Sequence, residues 1–172
     1  MAAALVFFSS LAAAAMPAVA APPPSNAALL QSYVGSYVGQ GTVFDGRTTR
    51  ALRCRINFRP TGAVRVGYAG RCSAGGGSFS LAGVIAYDQS RRAFVAAMSS
   101  SAARATVTLV GRRSGGRLVF RSRQAISFQG RIQDVSSTMA LTGGAIRIDF
   151  RATDPRTGRT TAGSIPLSRV AS

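Results

Sequence analysis

Residues 52–73 read LRCRINFRPTGAVRVGYAGRCS, and two runs of strict alternation occupy almost all of that length. Leu52, Cys54, Ile56 and Phe58 fall on one side, with Arg53, Arg55, Asn57 and Arg59 on the other. After Pro60-Thr61-Gly62 the pattern resumes: Val64, Val66, Tyr68, Gly70 and Cys72 on the apolar side, Arg65 and Arg71 opposite. Strand side chains repeat every two residues, so this stretch predicts a β-hairpin with one apolar and one cationic face. Both cysteines of the chain lie on the apolar face.

The turn decides what those cysteines can do. A tight turn at Pro60-Thr61-Gly62 sets Cys54 across from Tyr68, with Cys72 four residues, roughly 13 Å, further along. A disulfide tolerates Cα separations up to about 7 Å. Either the loop is wider or the thiols are free. A wider loop keeps every residue on its face, so we expect Cys54 across from Cys72, Ile56 from Gly70 and Phe58 from Tyr68, with residues 60–67 partly irregular.

Outward from this hairpin the chain is a series of short strands with turn signals every 8 to 12 residues or so, the pattern of a sandwich or barrel. The signals are Gly46, Pro60-Gly62, Gly75-Gly77, Asp88-Arg92, Ser114-Gly116, Gly143-Gly144 and Asp154-Gly158. A two-residue turn at Gly143-Gly144 pairs Leu141 with Ile146, Met139 with Ile148 and Ser137 with Phe150. A turn at Gly115-Gly116 sets Gly111 across from Phe120. A turn within Gly75-Gly77 sets Tyr68 across from Gly83 and Val66 across from Ile85. Twice an aromatic ring meets a glycine, an arrangement in which the ring covers bare backbone. Ser99-Ser100-Ser101 reads as a loop, and residues 124–133, QAISFQGRIQ, as one strand kinked at Gly130.

Upstream, Ser25 can cap a short helix whose Leu29, Leu30 and Tyr33 share one side. The strand that follows carries Tyr37, Gly39, Gly41 and Val43 on one face. Two interior glycines on one face predict close backbone approach or a sharp bend. Sequential hairpins make a meander, and closing a meander removes its exposed edges. We therefore expect an all-β fold: a single antiparallel up-and-down barrel of eight to ten strands over residues 37–168, with a short N-terminal helix.

Composition narrows the chemistry. The chain has 172 residues, with 21 Lys+Arg against 5 Asp+Glu, for a net charge of +16. Every base is Arg and every acid is Asp; Lys, Glu, His and Trp do not occur. With 47% hydrophobic and only 15% charged residues, this is a folding chain and not a disordered polycation. Acid–base catalysis needs a group that titrates near the working pH. Here the candidates reduce to five Asp and four Tyr. Asp45, Asp88 and Asp154 stand in turn contexts, where an Asp bonds its own backbone. Asp149 sits between Arg147 and Arg151, as in a surface ion-pair ladder, and Asp134 has no assignment. The glycine runs hold no P-loop or Rossmann signature. We expect no enzyme, no cofactor and no metal site.

Residues 1–20 end in Ala18-Val19-Ala20 and are apolar from Ala2 to Ala15 apart from two serines, the pattern of an export signal. Residues 21–36 are a Pro-rich leader and the short helix. Export to the periplasm or beyond makes a Cys54–Cys72 disulfide the simplest use of the cysteines.

Arg53, Arg55, Arg59, Arg65 and Arg71 share the outward face of the hairpin, and Arg117, Arg121 and Arg123 that of a later strand. Planar guanidinium groups grip phosphate and carboxylate bidentately. These five are the candidate anion-binding residues, for anionic envelope lipid or polysaccharide. Outward strand positions must in any case be polar, and this composition writes polar as Arg, Ser, Thr and Gln. Nucleic acid is a poor partner for an exported protein whose aromatics face inward.

The helix leading into Gly35-Ser36-Tyr37, then a coiling first strand and a meander, resembles calycin-type barrels such as lipocalins. Those carry Gly-x-Trp where this chain has Tyr37. The size, compartment and close cysteine pair also resemble bacterial inhibitors of secreted metalloproteases, in which the N-terminal tail, here Ala21 to Ser25, blocks the protease. The first resemblance transfers no ligand. A barrel with an apolar interior can in general accept a small apolar or amphiphilic ligand, so a non-enzymatic binding module is one expectation. The second resemblance implies an inhibitor acting through its tail.

Overall fold

A computed structural model describes residues 24–128 and 131–171. The reading of residues 1–20, and of 21–23 in the leader, lies outside them. Helix α1 (Asn26–Gln31) precedes β1 (Gly35–Phe44), β2 (Thr49–Gly62), β3 (Arg65–Ala74), β4 (Gly77–Asp88) and β5 (Ala93–Ser100). Then follow β6 (Ala105–Ser114), β7 (Arg117–Phe128), β8 (Arg131–Thr142), β9 (Ala145–Thr153) and β10 (Thr160–Arg169). Each strand pairs antiparallel with the next, and β10 returns to β1, so the sheet closes into a ten-stranded barrel. The expected all-β meander with a short N-terminal helix is the fold observed.

The registers follow the apolar alternation. Leu141 faces Ile146, Met139 faces Ile148 and Ser137 faces Phe150. Gly111 faces Phe120, and Tyr68 faces Gly83. A side chain at Gly111 would run into the Phe120 ring, one at Gly83 into Tyr68, and one at Gly163 into Phe150. Three rings thus cover three glycines on the inner wall. In β1, a Cβ at Gly39 would collide with the carbonyl of Pro166, and one at Gly41 with that of Ser164. The first strand is pressed against β10, and glycine is what permits it.

The opening hairpin takes the wider register. Cys54 pairs with Cys72, Ile56 with Gly70 and Phe58 with Tyr68. Pro60-Thr61-Gly62 is not the turn: all three belong to β2, and the chain reverses between Gly62 and Arg65. The irregularity expected over residues 60–67 shrinks to a bulge between Pro60 and Gly62. Pro60 fits in a strand here because β1–β2 pairing begins at Gly35 and Phe58, so the proline sits on the overhang beyond its neighbour.

Two further expectations are corrected. Ser99 and Ser100 are strand residues, paired with Thr106 and Ala105, and the turn lies after them. Residues 124–133 are not one kinked strand but the facing ends of β7 and β8, with Phe128 paired to Arg131 and Ile126 to Gln133. The reversal shifts the parity, so Ile132 points outward and is 54% exposed.

The inner wall and the helix form one apolar core. Ser25 accepts a hydrogen bond from the Ala28 amide and starts the helix, whose Leu29 and Leu30 are buried with Tyr33 just beyond. The Tyr33 hydroxyl donates to the carbonyls of Gly116 and Leu141, and the Gln31 amide to those of Gly62 and Ala63. Through these bonds the helix seals the barrel end formed by the β2–β3, β6–β7 and β8–β9 turns. Arg169 at the end of β10 lies over the Tyr37 ring, 5.3 Å from its centre. It also donates to the Tyr37 hydroxyl and to the carbonyls of Ser32 and Val34, locking the helix exit onto the closing seam.

Candidate anion-binding face

Alternation along β2 and β3 sends Arg53, Arg55, Arg59, Arg65 and Arg71 outward, and all five are exposed. Arg55 and Arg71 stand directly opposite each other. Arg53 is two residues from Arg55 along the same strand. Arg59 faces Gly67, which makes Arg65 its diagonal neighbour near the helix end. The structure therefore brings the five together as two adjoining groups, Arg53-Arg55-Arg71 and Arg59-Arg65, roughly 13 Å apart along β2.

The surroundings offer no counter-charge. The outward positions of β1 beside them are Ser36, Val38, Gln40, Thr42 and Phe44. Those of β4 are Ser78, Ser80, Ala82, Val84 and Ala86. The two acids nearest in sequence stand in end turns and are occupied there. Asp45 accepts from the amides of Thr48 and Arg47 and holds an ion pair with Arg50 at 3.3 Å; those amide bonds pull its carboxyl down to about 2. Asp88 is lowered first by the Ser90 hydroxyl and then by the Arg91 amide. Asp154 is lowered by the Arg156 amide in the last turn. Asp149 pairs with Arg147 at 3.0 Å on β9, two strands beyond β1. Among the described residues, no three Cys or Asp side chains converge as a metal-binding group.

Behind the face lies the disulfide. Cys54 and Cys72 are bonded, with Cα atoms 4.1 Å apart, and both are buried. The bond ties the two arginine-bearing strands together directly beneath Arg53, Arg55 and Arg71. The inner wall itself is filled: Phe58, Phe94 and Phe120 are buried, Tyr37 meets Phe58 edge-on with ring centres 5.4 Å apart, and Phe58 stacks on Tyr68 at 5.1 Å. Burial pushes the Tyr68 hydroxyl well above its usual range. Away from the helix the packing loosens, and Phe79, Leu81, Met98 and Ile126 are only partly buried against the core.

Concavities among the described residues lie both on the barrel's outer surface and at its helix end. One, of about 400 Å3, spreads over β1, β10, β9 and β8 between Phe44, Asp149 and Arg151. Another, of about 370 Å3, lies at the helix end where β5 and β6 part. Sequence reasoning missed the second, although the paired arginines that line it, Arg91-Arg92 and Arg112-Arg113, stand out in the chain. The tail proposed to block a protease is described only from Pro24, whose carbonyl accepts from Arg113.

Solved structures share this architecture. Rv2717c from M. tuberculosis superposes with a TM-score of 0.67 at 12% identity, covering 87% of this chain and 100% of that one. The S-type phycobiliprotein lyase CPES from Guillardia theta gives 0.54 at 13% identity, over 84% of this chain and 92% of that one. In fold, this chain resembles small antiparallel barrels of the calycin kind. No family model and no curated protein matches it.

Proposed function

We propose that this protein is a non-enzymatic binding barrel of the cell envelope that holds anionic lipid or polysaccharide against the outer face of β2 and β3. One observation carries the reading: Arg55 and Arg71 are paired across the strands with Arg53 beside them, and β1 and β4 supply no acid. Like charges directly opposite each other destabilise a sheet. Phosphates or carboxylates laid across the face offset that repulsion and release their own counterions. The Cys54–Cys72 bond supports an oxidising compartment, in keeping with the export signal read in residues 1–20. The lack of His, Glu and Lys, and the engagement of Asp45, Asp88, Asp149 and Asp154, support binding over catalysis. The test is co-sedimentation with phosphatidylglycerol vesicles. The parent is expected to sediment, and a variant with Arg53, Arg55, Arg59, Arg65 and Arg71 replaced by Gln to stay in solution with its fold intact. Equal sedimentation of both proteins contradicts the proposal.

A second reading places a small apolar or amphiphilic ligand in the barrel end away from the helix. The partly buried Phe79, Leu81, Met98 and Ile126 favour it, because they leave an apolar lining within reach of that opening. Saturable binding of a fluorescent fatty-chain probe, unchanged in the Gln variant, supports this reading. Unsaturable partitioning of the probe counts against it.

A further inference from the structure

The geometry points to a second anion site, separate from the β2–β3 face: a crevice at the helix end that takes a phosphate group carrying an apolar or aromatic body. The crevice exists because the β5–β6 ladder stops at Phe94 and Gly111. Beyond that pair, Arg112 and Arg113 continue alongside β7 alone, while Arg91 and Arg92 turn away in the β4–β5 loop. About 370 Å3 opens between them, lined by those four arginines and by Tyr87 and Phe94. The two rings sit 5.0 Å apart, tilted against each other; Phe94 belongs to the buried core, and the partly buried Tyr87 is the ring that borders the crevice beside the four arginines.

The arginines divide into anchored and available. Arg113 is fixed, donating to the carbonyls of Gly115 and Pro24. Arg91 lies 3.6 Å from Asp88, whose carboxylate is already taken up by the Ser90 hydroxyl and two loop amides. Arg92 and Arg112 hold no ion pair or side-chain hydrogen bond among the described residues. The crevice thus carries four cations against one acid, with two guanidinium groups free to close on an anion bidentately.

Arg92 adds a second, independent observation. Its φ is +49°, in the left-handed region where glycine is favoured, and the chain places glycine at positions 46, 75, 76, 115 and 158, each with φ between +56° and +91°. A backbone position held against its preference is a pointer to function when the side chain has somewhere to go. Arg104 shares the conformation, with φ +49°, but does not line the crevice, and so serves as the control.

The test combines calorimetric titration with thermal melting. Phenyl phosphate is expected to bind the parent saturably and more tightly than inorganic phosphate, because only the former carries a ring to set against Tyr87. Arg92→Gly is expected to melt at higher temperature yet bind phenyl phosphate about tenfold more weakly, the worth of one charge-assisted contact. Arg104→Gly is expected to melt higher and bind as the parent does. The five-Gln variant of the β2–β3 face keeps phenyl phosphate binding, so this site and the proposed envelope function fail separately. If phosphatidylglycerol vesicles compete with phenyl phosphate, the phosphate belongs to a lipid head group; if they do not, to a free phosphate ester. Arg92→Gly binding as tightly as the parent, or a parent with no saturable binding of phenyl phosphate, overturns the inference.

Discussion

At the scale of single residues, the glycines of the inner wall carry the fold's tightest constraints. Gly39 has no room for a methyl group because β10 presents the Pro166 carbonyl where the Cβ would stand. Gly39→Ala should therefore destabilise by about 3 kcal/mol, the upper range for forcing atoms into a packed wall. Urea unfolding measures it, and a loss below about 1 kcal/mol means that β1 and β10 can separate without cost. The sequence announced this position by setting two glycines on one face of a strand. It also announced Gly83 and Gly111, since each faces an aromatic ring. The Phe150 ring over Gly163 needed the β9–β10 register, which a long turn from Thr153 to Thr160 hides. Arg169 was silent altogether. Its stacking on Tyr37 and its bonds to the helix exit join residues 132 apart in the chain, a separation no alternation pattern reaches.

At the scale of elements, the β2–β3 hairpin was legible because a disulfide allows one register and parity allows few. Closing the 18-residue separation by a covalent bond should contribute about 3 kcal/mol on the loop-entropy estimate. A Cys54→Ala, Cys72→Ala double variant is expected to unfold at correspondingly lower urea while keeping its β-sheet circular dichroism. Unchanged stability contradicts that estimate. The strand ends were less legible, for a physical reason. Ser99 and Ser100 are poor strand formers by composition, yet they are held by ladder bonds to Thr106 and Ala105. In residues 124–133 the alternation of Ile126, Phe128 and Ile132 runs unbroken through a reversal. Periodicity alone takes that for one continuous strand, although the faces exchange at the turn.

At the scale of the whole molecule, closure and charge set the behaviour. The meander with its short helix was readable, but the sealing of one end by Leu29, Leu30 and Tyr33 was not, because only the closed barrel creates that opening. The charge has a consequence for pH. Asp45, Asp88 and Asp154 have folded values below the ordinary carboxylate range, so their stabilisation is present above about pH 4 and is lost as pH falls toward 2. Burial raises Tyr33, Tyr37 and Tyr68, so their contribution is complete below about pH 10 and is lost above it. The chain holds no His and both of its cysteines are bonded, so the side-chain types that ordinarily titrate between those limits are absent or blocked. Urea midpoints should be flat from about pH 5 to 9 and fall on either side; a slope inside that window contradicts the assignment.

The arginine face asks whether position matters or only net charge, since a protein at +16 attracts anionic surfaces wherever its arginines lie. The most direct measurement compares two variants of equal charge. In one, Arg53, Arg55, Arg59, Arg65 and Arg71 become Gln; in the other, Arg117, Arg121, Arg123, Arg151 and Arg156 do. Vesicle binding is followed as salt is raised and the screening length shortens from about 10 Å at 0.1 M. A face that binds by position predicts that the first variant loses binding at every salt concentration, while the second follows the parent closely. Equal weakening of the two variants would show that binding follows total charge alone, and the β2–β3 face would then be an ordinary solvated surface.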